Sequence, residues 1–160
     1  MSTHDHAAPS DRPGGLLIRP IGAADEADWR RLWSAYLAFY ETTRPEEVYA
    51  TTFARLLSGT PGEFRGLLAV VDGRPVGLVH YLFHRSCWAV ADICYLQDLY
   101  AVPDRRGTGI GRALIEAVYG AADAHGAASV YWLTQEFNAT ARRLYDRIGV
   151  KTPFIRYNRG

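Results

Sequence analysis

A mixed α/β fold, an α+β arrangement with about six or seven strands in one sheet and about four flanking helices, is predicted by three observations. Apolar residues recur at three- and four-residue steps over residues 25–40 and 110–125, the period of a helix with one buried face. Two β-rich runs, 64–71 and 76–84, are separated by Asp72-Gly73-Arg74-Pro75, a hairpin turn. The order of elements runs strand, two helices, three strands, helix, strand, helix, strand. It predicts an antiparallel start and a parallel pairing around the long helix, rather than the repeated βαβ unit of a doubly wound fold.

Residues 16–21 form the first short strand, alternating around Arg19. The helix over 25–40 gathers Trp29, Leu32, Trp33, Tyr36, Leu37 and Tyr40 on one face. That stripe packs a core, and its exposed remainder would wall a pocket for an apolar or cationic ligand. ETTRPEE interrupts it, and Pro45 suits the first turn of a second helix running to about residue 57. Glu41, Glu46 and Glu47 are placed to meet a cation or to act as solvated capping charges. In the hairpin, His80 and His84 share a strand face, and either is a base of near-neutral pKa or part of a polar edge.

A strand over 91–101 leads into the segment Arg105-Arg106-Gly107-Thr108-Gly109-Ile110-Gly111-Arg112, where glycines alternate and arginines flank them. Glycine permits converging backbone N–H groups, and the helix that follows adds its positive dipole end, so the segment is an anion cradle. The arginines favour phosphate. The plainer alternative is a turn that only links strand to helix. The helix over 110–125 ends at His125-Gly126. Strands are expected over 129–133 and 152–157, with a last helix opened by Asn138 and facing inward through Ala141, Leu144, Tyr145 and Ile148.

The chain of 160 residues suits one domain, residues 16–160, after a lead-in over residues 1–15 rich in Ser, Asp, Pro and Gly. A net charge of +1 argues against nucleic-acid binding through a bulk positive field. No apolar run approaches the roughly 18 residues of a membrane span. Cys87 and Cys94 have no metal-site spacing and are expected reduced, as in a cytoplasmic protein. His4 and His6 are potential metal ligands in the tail, though no metal is expected.

Spacing excludes the familiar phosphate loops. Gly111 is followed by Arg112 and Ala113 where a P-loop requires Lys and Ser/Thr, and G-x-G-x-x-G/A fails from either Gly107 or Gly109. Arg106-x-x-Gly109-x-Gly111, after a strand and before a helix, resembles the acetyl-coenzyme A pyrophosphate signature of the GNAT acyltransferase superfamily. The resemblance runs from Val70 onward. VYWLTQEFNATARRLYDRIGVKTPFIRY looks like the family's second motif, with Asn138 opening a helix and Tyr145 seven residues later. YLQDLYAVPDRRGTGIG is similar to the subgroup of spermidine/spermine and thialysine N-acetyltransferases and fungal histone and polyamine acetyltransferases.

The resemblance implies a centrally splayed sheet with acetyl-coenzyme A as cosubstrate in the splay. A backbone N–H near Leu99 or Tyr100 would hold its thioester carbonyl, Ala101 would line the same gap, Arg105 to Arg112 would hold its pyrophosphate, and Asn138 its arm. Tyr145 would be the general acid that protonates the departing thiolate, as well as a coenzyme contact. The base is less defined. Gln97 stands where polyamine enzymes carry glutamate, and glutamine takes no proton. Asp98 is retained, but strict alternation turns it to the opposite face unless a bulge redirects it. Otherwise a water chain, Tyr95, His80 or His84 must take the proton.

The implied activity is acetyl transfer to the primary amine of a small polyamine-like or amino-acid-like molecule, by direct attack in a ternary complex. The alternatives are acetylation of basic protein tails and a coenzyme-binding sensor without catalysis. Pairing of two copies through the final strand around Phe154 is a further expectation.

Overall fold

The computed structural model describes residues 15–160; the expectations for the lead-in and for His4 and His6 lie outside these residues. Five strands, β1 (Leu16–Pro20), β2 (Arg65–Val71), β3 (Arg74–His84), β4 (Ile93–Ala101) and β5 (Val130–Tyr131), form one sheet in chain order. The first four pair antiparallel, and β4 and β5 are parallel. Four helices flank the sheet: α1 (Glu26–Phe39), α2 (Glu46–Ser58), α3 (Ile110–His125) and α4 (Ala139–Ile148).

The hairpin between β2 and β3 follows the predicted turn. Val71 pairs with Arg74 across a two-residue loop in which Asp72 and Gly73 both have positive φ, 50° and 75°. That twist matches the strands it joins.

Alternation along the strands divides the core into two layers. Leu68, Val70, Leu78 and Tyr100 meet Trp29, Leu32, Trp33 and Leu37 of α1 and Phe53 and Leu56 of α2. On the other face, Ala69, Val79, Tyr81, Phe83, Cys94 and Leu96 meet Ile110, Leu114, Ile115 and Val118 of α3. Leu144, Tyr145 and Ile148 of α4 pack at the border of this second layer, and the Tyr119 hydroxyl donates to the Ile148 carbonyl at 2.8 Å.

Two expectations about strands require correction. β5 is only two residues long, because Cys94–Val130 and Tyr95–Tyr131 are its only pairings before the chains part. Residues 152–157 form no strand. The outer edge of β5 is only two residues long and Pro153 has no N–H to give a ladder, so this segment stays unpaired, and Phe154, Ile155 and Tyr157 are exposed. The sheet therefore has five strands rather than six or seven.

Candidate active site

Beyond Tyr95, β4 continues to Ala101 without a partner on its β5 side, which opens a wedge between the two strands. The Val102 N–H bonds to the Val76 carbonyl of β3. Two-residue alternation therefore points the N–H groups of Leu99 and Ala101 into the wedge and that of Tyr100 toward β3. The side chains of Leu99 and Ala101 join the α3 layer, whereas Tyr100 is buried in the α1 layer.

The glycine segment lies at the end of this free edge. Pro103–Arg105 form one 3₁₀ turn, and Gly107 and Gly109 follow with φ of 80° and 84°, the left-handed region that side chains disfavour. Gly109 is the N-cap of α3, and the first intrahelical bond is Ala113 N–H to Gly109 O at 2.9 Å. The N–H groups of Ile110, Gly111 and Arg112 precede that bond and carry the helix's positive end. Ile110 itself is buried and anchors the turn to the sheet. The Arg106 side chain donates through Nε to the Ala101 carbonyl at 3.2 Å, with its guanidinium over the rings of Phe39 and Tyr100 at 5.6 and 5.8 Å. Thr108 Oγ1 closes the turn onto the Arg105 carbonyl. Arg112 is drawn along its helix to Glu116 at 2.9 Å, leaving the backbone as the organised part of the cradle.

A second centre lies on the α1 face of β4. His80 pairs with Asp98 and Tyr81 with Leu96, so Gln97 is an extra, unpaired residue. This β-bulge turns Asp98 toward α1 while Leu96 and Leu99 stay in the α3 layer. Gln97 is exposed and Asp98 is buried. His80 Nδ1 lies 2.8 Å from Asp98 Oδ2, and Trp33 Nε1 donates to the same oxygen at 3.3 Å. The Tyr36 phenol also faces Asp98 and helps to hold its charge. Trp29 Nε1 donates to His80 Nε2 at 2.9 Å.

Indole is only a donor, so His80 Nε2 must be an acceptor and the ring proton must lie on Nδ1, directed at Asp98. His80 is thus a neutral imidazole with both nitrogens engaged, which removes it as the free base sequence reasoning allowed. Burial pushes the Asp98 carboxyl up, but its interactions with His80 above all, and with Tyr36 and Trp33, outweigh it and hold the group below the usual aspartate range. The bulge thus redirects Asp98 as the sequence reading allowed, and a carboxylate so stabilised is a weak proton acceptor. His84 is also committed: Nδ1 donates to the Arg85 carbonyl at 2.7 Å, leaving Nε2 to accept the Tyr131 hydroxyl at 2.7 Å.

α4 supplies the opposite wall. Asn138 occupies its N-cap position but makes no side-chain cap bond; Nδ2 instead donates to Thr134 Oγ1 at 3.3 Å. The Tyr40 phenol, just past the end of α1, faces Thr134 and Asn138 and so brings the two walls together. Tyr145 packs edge-on to Trp132, centroids 5.5 Å apart, and burial together with nearby Tyr40 pushes its phenol up to about 12. Tyr36 and Tyr40 were legible only as core aromatics, because the polar partners of their hydroxyls are remote in sequence. Glu46 is held by Arg30 through two 2.8 Å bonds on the surface, which makes it a structural charge.

A wedge edged by free strand N–H groups, with a glycine-built helix N-terminus at one end, defines the class of acyltransferases that hold their donor by backbone contacts. The chain matches the Acetyltransferase (GNAT) family over residues 29–150 and belongs to it. It is a GNAT N-acetyltransferase, of a family that uses acetyl-coenzyme A. It is 39% identical to the D-amino-acid N-acetyltransferase HPA3 of Saccharomyces cerevisiae over 146 residues, 90% of each chain. With the thialysine N-epsilon-acetyltransferase of Bos taurus it shares 33% over 103 residues, 64% of this chain and 56% of that one. The fold is similar to that of the aminoglycoside N-acetyltransferase AAC(6′)-Iy in complex with CoA, with a TM-score of 0.79 and 16% identity over 94% of this chain and 98% of the other.

Proposed function

We propose that this enzyme acetylates the primary amine of a small amino-acid-like molecule from acetyl-coenzyme A, by direct attack in a ternary complex. The observation that carries the reading is the Gln97 bulge, which sets the Asp98 carboxylate, a fixed buried anion, on the α1 face of the same strand that edges the wedge. The yeast relative's named activity on D-amino acids supports an amino acid over a polyamine.

The residues divide the work as follows. N–H groups from Gly107 to Arg112, with Arg105 and Arg106, receive the pyrophosphate. Their positive-φ glycines and uncommitted helix N–H groups fit an anion. The Leu99 and Ala101 N–H groups receive the thioester carbonyl and the negative charge it gains during attack. Asn138 bonds the coenzyme arm by exchanging its contacts with Tyr40 and Thr134.

At pH 7 roughly one alkylamine in two thousand is neutral, a cost of about 4–5 kcal/mol. Asp98 does not remove that cost, since an anion favours the ammonium. It draws the cation in, and then stabilises the positive charge that returns to nitrogen as the C–N bond forms. The ammonium gives one proton to water beside exposed Gln97 before attack and a second after the C–N bond forms, and the second is returned through solvent to Tyr145. Tyr145, protonated at neutral pH, donates to the departing sulfur.

The same reading pairs two copies of the chain through residues 150–157, where Val150, Phe154, Ile155 and Tyr157 are exposed; sedimentation of the full chain as a monomer would remove that part.

The test is acetyl-coenzyme A-dependent thiol release with D- and L-amino acids, polyamines and basic peptides. Turnover highest on amino acids is expected. Turnover only on peptides would identify a protein acetyltransferase, and thermal stabilisation by acetyl-coenzyme A without turnover would identify a sensor.

A further inference from the structure

The Trp29–His80–Asp98 chain is the one buried polar network of the described residues that lies next to the proposed acceptor site, and coenzyme binding does not use it. Its members come from three elements: Trp29 from α1, His80 from β3 and Asp98 from β4. His80 and Asp98 sit opposite one another across the bulge, and the His80 side chain is 3% exposed. Nothing about a sheet requires a histidine there. An apolar residue on that face would pack against Trp29 and Trp33, as neighbouring Leu78 does in the same layer. What His80 adds is one N–H aimed at a carboxylate that has almost no water to replace it.

We propose that His80 is a positioning residue for the acetyl transfer, holding Asp98 in its ionised, α1-facing rotamer, with Trp29 fixing the ring tautomer that makes this possible. The proposal rests on the reading of Asp98 as the anion that draws the acceptor's ammonium.

The chemistry is a chain of donors with one direction. The Trp29 N–H occupies His80 Nε2, which leaves Nδ1 as the only site for the ring proton, and that proton points at Asp98 Oδ2. Trp33 donates to the same oxygen. The groups facing Asp98 are therefore His80 from β3, Trp33, Tyr36 and Tyr40 from α1, and Tyr95 from its own strand. Trp33 and the three tyrosines are uncharged, and a His80 ring that accepts from Trp29 through Nε2 is neutral as well, so the bonds that hold Asp98 leave its negative charge for an incoming cation. A charged partner such as arginine would hold the carboxylate as firmly and cancel its field. Neutral imidazole holds it without cancelling it. Loss of the His80 bond would leave burial, which favours the neutral acid, less opposed.

The experiment compares wild type, His80→Leu and His80→Asn; asparagine's amide reproduces the Nδ1 donor but cannot reach Trp29. His80→Leu is expected to raise KM for the amino acid about tenfold and to move the acid limb of kcat/KM upward in pH, while KM for acetyl-coenzyme A stays unchanged. His80→Asn should recover most of both. Equal loss of affinity for both substrates with an unmoved acid limb, or an asparagine variant no better than leucine, overturns the proposal.

If His80→Leu does not fold, Trp33→Phe keeps an aromatic ring and removes one donor to the same oxygen. It should shift the acid limb the same way, and an unmoved limb overturns the proposal. The tautomer is read separately by long-range ¹H–¹⁵N spectra of the wild-type protein: Nδ1 protonated and Nε2 bare is expected, and the reverse is fatal. Because that spectrum needs no turnover, a wild type inactive on every amine would sink the functional reading and leave the tautomer result standing by itself.

Discussion

Gly77 of β3 lies directly beneath Ile110, the first residue of α3. A Cβ at position 77 would stand 3.0 Å from Ile110 Cγ2 and 2.9 Å from the Tyr100 carbonyl oxygen. The absence of a side chain on β3 is what lets the helix settle close enough to the sheet to present its N-terminus at the end of the β4 edge. Gly77→Ala should cost about 1–3 kcal/mol, read by urea unfolding. It should also weaken acetyl-coenzyme A binding, because the cradle lifts with Ile110. A stable variant with unchanged affinity would show that the helix position does not matter.

Gly109 serves the same cradle through its backbone. Its φ of 84° is costly to any other residue, so Gly109→Ala should lose about 1–2 kcal/mol of stability. Coenzyme affinity, measured by calorimetry, should fall with it. Gly120, in the body of α3 with open space around its Cα, is the control: Gly120→Ala should be neutral or stabilising.

Tyr145→Phe should reduce kcat by roughly 10²–10⁴ and leave the dissociation constant for acetyl-coenzyme A nearly unchanged. Because burial and Tyr40 push the phenol up to about 12, the wild-type rate should show no alkaline loss from this group through about pH 10, where a free phenol is half ionised. An alkaline limb there that vanishes in the phenylalanine variant would refute the assignment.

Asp98 and Asp25 both titrate below the usual aspartate range, Asp98 despite its burial and Asp25 through its paired bonds from Arg19 at 2.7 and 2.8 Å. The unfolded chain then binds protons more readily than the folded one near pH 4. The stability these groups contribute is present above the unfolded value of about 3.9 and is lost as pH falls through the folded values. Acid titration of Asp98→Asn should show a shallower loss of stability below pH 4 than wild type. An identical acid profile would mean Asp98 has no such role.

The two thiols should separate in a labelling experiment. Cys87 is exposed, whereas Cys94 is fully buried and its thiol is pushed up to about 11 by that burial. Ellman's reagent should titrate one thiol in the native protein and two after denaturation.

The parts of this site legible in the sequence are those built from neighbours. Arg106, Gly109 and Gly111 lie within six residues, so spacing exposed the turn and its anion-binding character, and the resemblance to a known family supplied the ligand. Trp29, His80 and Asp98 are separated by 51 and 18 residues, and only folding brings them together. Strict alternation even pointed Asp98 the wrong way, since no residue type marks the bulge at Gln97. Asn138 occupied the predicted N-cap position, yet its amide chose Thr134 over its own helix. Residues 152–157 are rich in Thr, Phe, Ile and Tyr, which suits a strand, but the two-residue β5 gives them too short an edge, and no local pattern reveals how far a neighbouring strand runs.

The extra residue in β4 has a consequence for how this chain tolerates change in length. Cys94 and Leu96 before it, and Leu99 and Ala101 after it, all look toward α3, while Asp98 and Tyr100 look toward α1. Removing Gln97 would leave that sorting intact, because simple alternation from Leu96 to Asp98 gives the same two faces. Removing Tyr95 would throw the preceding half of the strand out of step and turn Cys94 from the oily layer toward the other. Gln97 is thus the one position in β4 that is spare as a unit of length, and the strand can lose it without exchanging inside for outside.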